Sequence, residues 1–335
     1  METSFGSAQG REATCLLNPD PTKIASYIPL FLLNFSYMPK LLTLLIVAFS
    51  ICLAFAQETR KPEPYHPTKK RSLDTLQDRW RELSSNYEGL RKPNKEIPVV
   101  EKHFVLADVI GAFVLFNTDD LQYLVYNPSR ANKRFLPAST FKIPNSIIAL
   151  ETGAVKDLEE VIPYGGGKEY FKNWEQDMPL PQAFKASNVA VFHTLAKRMG
   201  IDAYTEKLKA FDYGNKNPGP TTDERFWLTG PIQISALEQV EFLRKLSSQS
   251  LPIRAKTYQQ IRSIMEVEGG DNYRIFAKSG WAGPDDPQIG WWVGWVEKDG
   301  HNYPFALNIL IKKNEDAKQR EIIARACIKE LLNLN

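Results

Sequence analysis

The sequence predicts an α/β fold of the α+β type: an antiparallel sheet flanked by helices, with a helical subdomain inserted between early and late strands. Three observations carry this. β-rich runs stand early, at 104–117 and 121–127, and late, at 272–280, 289–298 and 303–311. The late runs are joined by turns short enough only for antiparallel pairing. Helical patterns fill the interval and close the chain at 320–332. The sheet and the helical half would meet in a cleft, the usual place for a small-molecule site.

Taken in order, LDTLQDRWRELSSNYEGL (73–90) has helical spacing at Leu73, Leu76, Trp80 and Leu83. FVLADVIGAFVLFN and LQYLVYN read as strands around the hairpin signal Thr118-Asp119-Asp120. A helix starts at Ser139 and stops at Gly153. A second, SNVAVFHTLAKRMG (187–200), is closed by Gly200. Ser235 and Glu238 form a capping box for a helix over 235–246, and 254–265 is helical too. The three late strands and an amphipathic helix complete the domain. Core packing is the expectation for at least two of Trp291, Trp292 and Trp295.

The 335 residues, 43% hydrophobic, suffice for one large domain or two small ones. Lys and Arg number 42 against 39 Asp and Glu, and the only tight basic run is Lys69-Lys70-Arg71. That run reads as a solvated linker, so no nucleic-acid partner is expected. No CxxC occurs, and His66, His103, His193 and His301 are scattered, so no metal site is expected.

Met38–Ala56 has a positive start at Lys40, an apolar core from Leu41 to Leu53, and Ala54-Phe55-Ala56 before Gln57. This is a signal-peptide pattern over 38–56, cleaved near Ala56. Residues 1–37 are then expected to be an over-extended start, 57–71 a proline-bearing linker, and 72–335 the folded domain. The product would be periplasmic or secreted, with no stable membrane partner, as a monomer or homodimer. Ile51 before Cys52 argues against lipidation there. The mature chain would keep only Cys327 and form no internal disulfide.

The chemistry centres on PASTFKIPNS (137–146), where Ser139 precedes Lys142 by three residues. On a helix, i and i+3 share a face, so the amine lies beside the hydroxyl. Serine is a weak nucleophile without an adjacent base. Burial among Phe135, Leu136, Phe141 and Ile143 would discharge the lysine and make it available as that base. The match is not isolated. Ser187-Asn188-Val189 opens the next helix, Tyr213-Gly214-Asn215 sits in a loop, and Lys278-Ser279-Gly280 ends a strand. Ser-x-x-Lys followed by a second serine motif and a Lys-Thr/Ser-Gly motif marks penicillin-recognising serine enzymes.

From about 104 to 332 the chain resembles the class D (oxacillinase-type) β-lactamases, within the serine β-lactamase/transpeptidase-like fold. The resemblance rests on PASTFKIPNSIIALETG, KASNVAVF with DYGN, RFWLTGPIQISALEQVEFL, and KSGW followed by GWWVGWVE. It implies that Ser139 attacks the β-lactam carbonyl of penicillins and becomes acylated. Lys142 would carry a carbamate, an N6-carboxylysine, as general base. No cofactor is implied beyond the CO2 or bicarbonate that forms it. Val189, Trp227 and Leu228 would line the carbamate, with the Trp227 indole donating to it. Ser187 would pass a proton to the leaving nitrogen. Lys278, Ser279, Gly280, Trp281 and Arg320 would bind substrate, and the backbone N–H groups of Ser139 and Trp281 would form the oxyanion hole. Tyr213 and Asn215 would shape the cleft.

The alternative is a β-lactam sensor domain or a penicillin-binding transpeptidase that stays acylated. Against them stand the single leader and Val189, where sensors usually carry a polar residue and transpeptidases asparagine. Substrate range beyond penicillins is open from sequence.

Overall fold

A seven-stranded sheet is the centre of the described residues, with its most buried strands in the middle. The computed structural model describes residues 94–220, 226–282 and 288–334, all inside the compact unit Leu73–Asn335. The expected leader, linker and 73–90 helix lie outside the described residues.

The chain enters at β1 (Lys95–Glu96) and makes a short helix, α1 (Glu101–Leu106). It then forms β2 (Gly111–Asn117) and β3 (Gln122–Tyr126), with Thr118-Asp119-Asp120 in the turn between them. The helical half follows. It contains α2 (Pro128–Asn132), α3 (Lys142–Thr152), the short pair β4 (Val161–Ile162) and β5 (Met178–Pro179), α4 (Leu180–Lys185) and α5 (Val189–Phe211). It continues with α6 (Phe226–Thr229), α7 (Ala236–Ser247) and α8 (Ala255–Met265). The chain returns through β6 (Glu266–Gly269), β7 (Tyr273–Ala282), β8 (Gln288–Lys298) and β9 (His301–Ile311), and ends in α9 (Gln319–Leu332). The sheet order is β1-β3-β2-β9-β8-β7-β6. Every pair in it is antiparallel except β1 with β3.

The central strands β2, β8 and β9 read as continuous apolar runs because both faces are covered. Ala112, Val114, Phe116, Trp291, Val293 and Trp295 pack into the core shared with the helical half. Phe113, Leu115, Trp292, Phe305 and Leu307 face the opposite way, into a core closed by Ile323, Cys327 and Ile328 of α9. All three tryptophans of β8 are therefore core residues.

Two sequence expectations need correction. Residues 104–106 are helical, not strand: Phe104 belongs to α1 and stacks on Tyr126 at 4.5 Å. Phe104 alone of the three is buried on the sheet's outer face, Val105 and Leu106 being exposed, and Gly111 permits that burial. A Cβ at Gly111 would stand 2.5 Å from the Phe104 ring and 2.8 Å from the Asn308 carbonyl. The second concerns Gly200, at φ 72°, ψ 165°, which interrupts the helix as expected, but helical geometry resumes at once and runs to Phe211. The Ser235/Glu238 capping box is present in full.

Candidate active site

The nucleophile motif sits on a tight turn, not on a regular helix. Ala138–Phe141 form one 3-10 turn that runs directly into α3. Ala138 holds φ at +50°. That region costs a residue with a Cβ about 1–3 kcal/mol, and such strain collects at functional sites. The turn leaves Ser139 half-exposed while Thr140 and Phe141 on either side of the backbone are buried. Lys142 is the first residue of α3 and only 1% exposed. Its Nζ donates to Ser139 Oγ at 3.0 Å.

Among the described residues no carboxylate pairs with Lys142. Its amine lies 5.0 Å from the centre of the Phe192 ring. Burial, and after it the Lys278 ammonium, hold its pKa well below the ordinary lysine value. Phe192 is one turn along α5 from Val189, so the two share the helix face that covers the amine.

Trp227 lies on α6, fully buried. Its ring stacks on Phe141, with centroids 5.9 Å apart and planes 8° from parallel. Its indole N–H is buried without a hydrogen-bond partner. Buried donors are rarely left so, and an orphan of this kind calls for an acceptor the chain does not itself supply. Leu228, next to it, packs partly buried against the same core.

Two further motifs converge on the turn. Ser187 precedes α5 at φ +53°, and Lys278 Nζ donates to its hydroxyl. Lys278 is buried on β7, also donates to the Ser279 carbonyl at 3.0 Å, and lies 5.6 Å from the Phe184 ring centre. Burial first, then the Arg320 guanidinium, pushes its pKa down to about 7. Gly280 lets β7 close onto the turn: a Cβ there would meet Thr140 Cγ2 at 3.0 Å and the Pro137 carbonyl at 3.2 Å. Arg320, at the start of α9, donates to the Gly280 carbonyl at 2.6 Å and lies 5.8 Å from the Trp281 ring centre. Burial pushes its pKa to about 10, still above any working pH. Trp281 is 37% exposed, and its indole donates to Gln288 at 2.6 Å. The arrangement therefore joins a hydroxyl, a buried amine of lowered pKa, a second hydroxyl with its own lysine, and a half-buried guanidinium at one end of β7.

Comparison with known proteins decides the family. The penicillin-binding-protein transpeptidase domain matches residues 111–329. β-Lactamase OXA-48 of Klebsiella pneumoniae is 40% identical over 228 residues, 68% of this chain and 86% of its own. β-Lactamase OXA-10 of Pseudomonas aeruginosa is 37% identical over 225 residues, 66% and 84% of the two chains. The chain belongs to the class D β-lactamases. Among solved structures, a class D β-lactamase from Nostoc superposes with TM-score 0.68 at 36% identity, covering 69% of this chain and 98% of that one. FUS-1 (OXA-85) of Fusobacterium nucleatum does so with TM-score 0.69 at 35% identity, covering 72% and 100%.

In this class D β-lactamase the YGN loop lies behind the site. Tyr213 is fully buried, edge-on to Phe141 at 5.6 Å and to Phe242 at 5.1 Å. Asn215 brackets a neighbouring segment, donating to the Pro231 carbonyl at 2.7 Å and accepting from the Gln233 N–H at 3.1 Å. Sequence reasoning passed over three residues. Asn188 is the N-cap of α5, accepting from Val191 N–H at 3.1 Å and donating to the Trp174 carbonyl at 3.0 Å. Phe192 covers the amine of Lys142, and its helical offset from Val189 was the available signal. Gln239 is an amide on the otherwise apolar stripe of α7, a visible anomaly, and it reaches Thr140.

Proposed function

We propose that the chain hydrolyses the β-lactam amide of penicillins, oxacillin among them, through an acyl-enzyme on Ser139, and so confers resistance to them. The observation that supports this best is the pairing of a water-sheltered Lys142 amine, whose pKa burial holds well below the ordinary lysine value, with Ser139 Oγ at 3.0 Å. A neutral buried amine adds to CO2 and releases one proton, forming a carbamate. Val189, Phe192, Trp227 and Leu228 would enclose it, and the unpartnered Trp227 indole N–H fits its need for a donor. The carbamate supplies a proton acceptor that a bare ammonium cannot.

The chain's own residues do the rest. Arg320, Lys278 and Ser279 hold the substrate carboxylate at the β7 end of the cleft. Ser139 Oγ bonds to the lactam carbonyl carbon as its proton leaves on the Lys142 side. The backbone N–H groups of Ser139 and Trp281 receive the developing oxyanion. The carbon–nitrogen bond then breaks, and the lactam nitrogen takes a proton from Ser187, whose hydroxyl is recharged across its contact with Lys278. Water cleaves the ester and frees Ser139. Under this reading the leader over 38–56 delivers the domain to the periplasm or medium, where such drugs act.

Oxacillin turnover in a purified sample separates this from a sensor or transpeptidase. Sustained hydrolysis stimulated by bicarbonate is expected. A single burst equal to the protein concentration, with no steady state, would overturn it.

A further inference from the structure

The strained turn at Ala138 has to be held by something, and the structure shows two side chains from distant elements holding it. Trp291 of β8 donates its indole N–H to the Leu136 carbonyl at 2.9 Å, fixing the entrance to the turn. At the exit, Thr140 donates twice to the Pro137 carbonyl, from its hydroxyl at 2.6 Å and from its backbone N–H at 3.2 Å. The hydroxyl proton is thereby committed, so what Thr140 still offers is a lone pair. Gln239 Nε2 of α7 donates into it at 2.8 Å. Thr140 and Gln239 are both fully sheltered from solvent. The buried Tyr213 phenol lies against the same pair and its pKa is pushed up by that burial. The relay therefore runs in one direction: amide N–H to hydroxyl to carbonyl.

We infer that Gln239 is a positioning residue for acylation, acting through Thr140 to aim the Ser139 backbone N–H and hydroxyl. The Ala138–Ser139 peptide plane fixes where that N–H points, and the backbone angles of Ala138, with φ in the left-handed region, set the plane. With the Thr140 hydroxyl clamped, the turn cannot relax toward an ordinary helical start. The Ser139 N–H stays directed at the cleft and not along the α3 axis. Gln239 reaches no reacting atom. Its place on α7, anchored by the Ser235/Glu238 capping box, ties the catalytic turn to the rigid centre of the helical half. The inference rests on Ser139 being the acylated residue.

The test is the rate of Ser139 acylation by oxacillin, read by rapid quench and mass spectrometry. It compares wild type, Gln239→Met, Thr140→Val, Thr140→Ser and the Gln239→Met/Thr140→Val double variant. A misaimed group can cost up to about 100-fold. Gln239→Met and Thr140→Val are expected to slow acylation roughly 10–100-fold. Thr140→Ser, which keeps the oxygen, should stay within about threefold of wild type. The double variant should be no slower than Thr140→Val alone, because the two residues act as one relay. The labelled-carbonate signal at Lys142 should hold across the set, which a general loss of structure would not allow. Should Gln239→Met fail to fold, the Thr140 pair decides the matter. Equal acylation by Thr140→Val and wild type, or multiplied losses in the double variant, would overturn the inference. A wild-type protein that takes no label on Ser139 would overturn the proposed function and this inference with it.

Discussion

Lys142 and Lys278 are two buried lysines in one cleft, and among the described residues neither has a carboxylate to pair with. Burial is the main cause that lowers each pKa, and each also feels a neighbouring cation: Lys278 for Lys142, Arg320 for Lys278. The sign of the coupling follows. A positive Lys278 makes protonating Lys142 harder, so it widens the pH range in which the Lys142 amine is neutral. With a pKa of about 7, Lys278 carries that charge below neutrality and loses it above. Replacing Lys278 by Met should therefore raise the Lys142 pKa and move the acid limb of the turnover profile to higher pH. A pH–rate series on the variant reads this directly, and a limb that stays put or moves down contradicts the coupling. At this scale the sequence was informative where chemistry demands particular side chains. Ser139, Lys142, Ser187 and Lys278 announce themselves by type and spacing, and the fold brings their side chains together. Gln239 and Asn188 were harder to read because an amide is chemically bland. Their importance lies in which backbone or hydroxyl they meet, and only tertiary packing supplies that.

At the scale of elements, the features that failed to show in sequence are those where tertiary packing overrides local preference. Phe104-Val105-Leu106 has strand composition, yet Phe104 is more useful on a helix laid over Tyr126 and Gly111. Gly200 was legible as a stop, but not the helix that resumes after it, because a glycine after an amphipathic run reads as a helix end. The kink makes a clear prediction. At φ 72°, ψ 165° Gly200 occupies a region almost reserved for glycine, while nothing lies within 4 Å of where a Cβ would be. Gly200→Ala should thus cost backbone strain alone, about 1–3 kcal/mol. At roughly 2–4 °C per kcal/mol for a domain of this size, thermal unfolding should fall by several degrees. Its acylation rate should stay near wild type, since the kink lies beyond Val189 and Phe192. An unchanged melting temperature would show that the turn is not held in that geometry.

For the whole molecule, stability comes from burial on both faces of one sheet, with no covalent brace among the described residues. Cys327 is free and buried in the outer core, and its thiol pKa is pushed up by burial. A buried, protonated thiol is chemically quiet. Melting curves with and without a thiol reductant should superimpose; a drop on reduction would reveal a disulfide this account does not contain. The layered plan itself was readable from the order of strands and helices. The sheet order was not, because antiparallel hairpins fix only consecutive neighbours. The joining of β2 to β9 is a long-range pairing that short turns do not specify.

All of this converges on whether the sheltered amine of Lys142 takes up CO2. Carbon-13 NMR of the active protein in labelled bicarbonate measures it most directly. The account predicts one carbamate resonance in wild type, weakened in Trp227→Phe and missing in Lys142→Ala. An active wild-type protein with no such resonance at any pH where it turns over would contradict it.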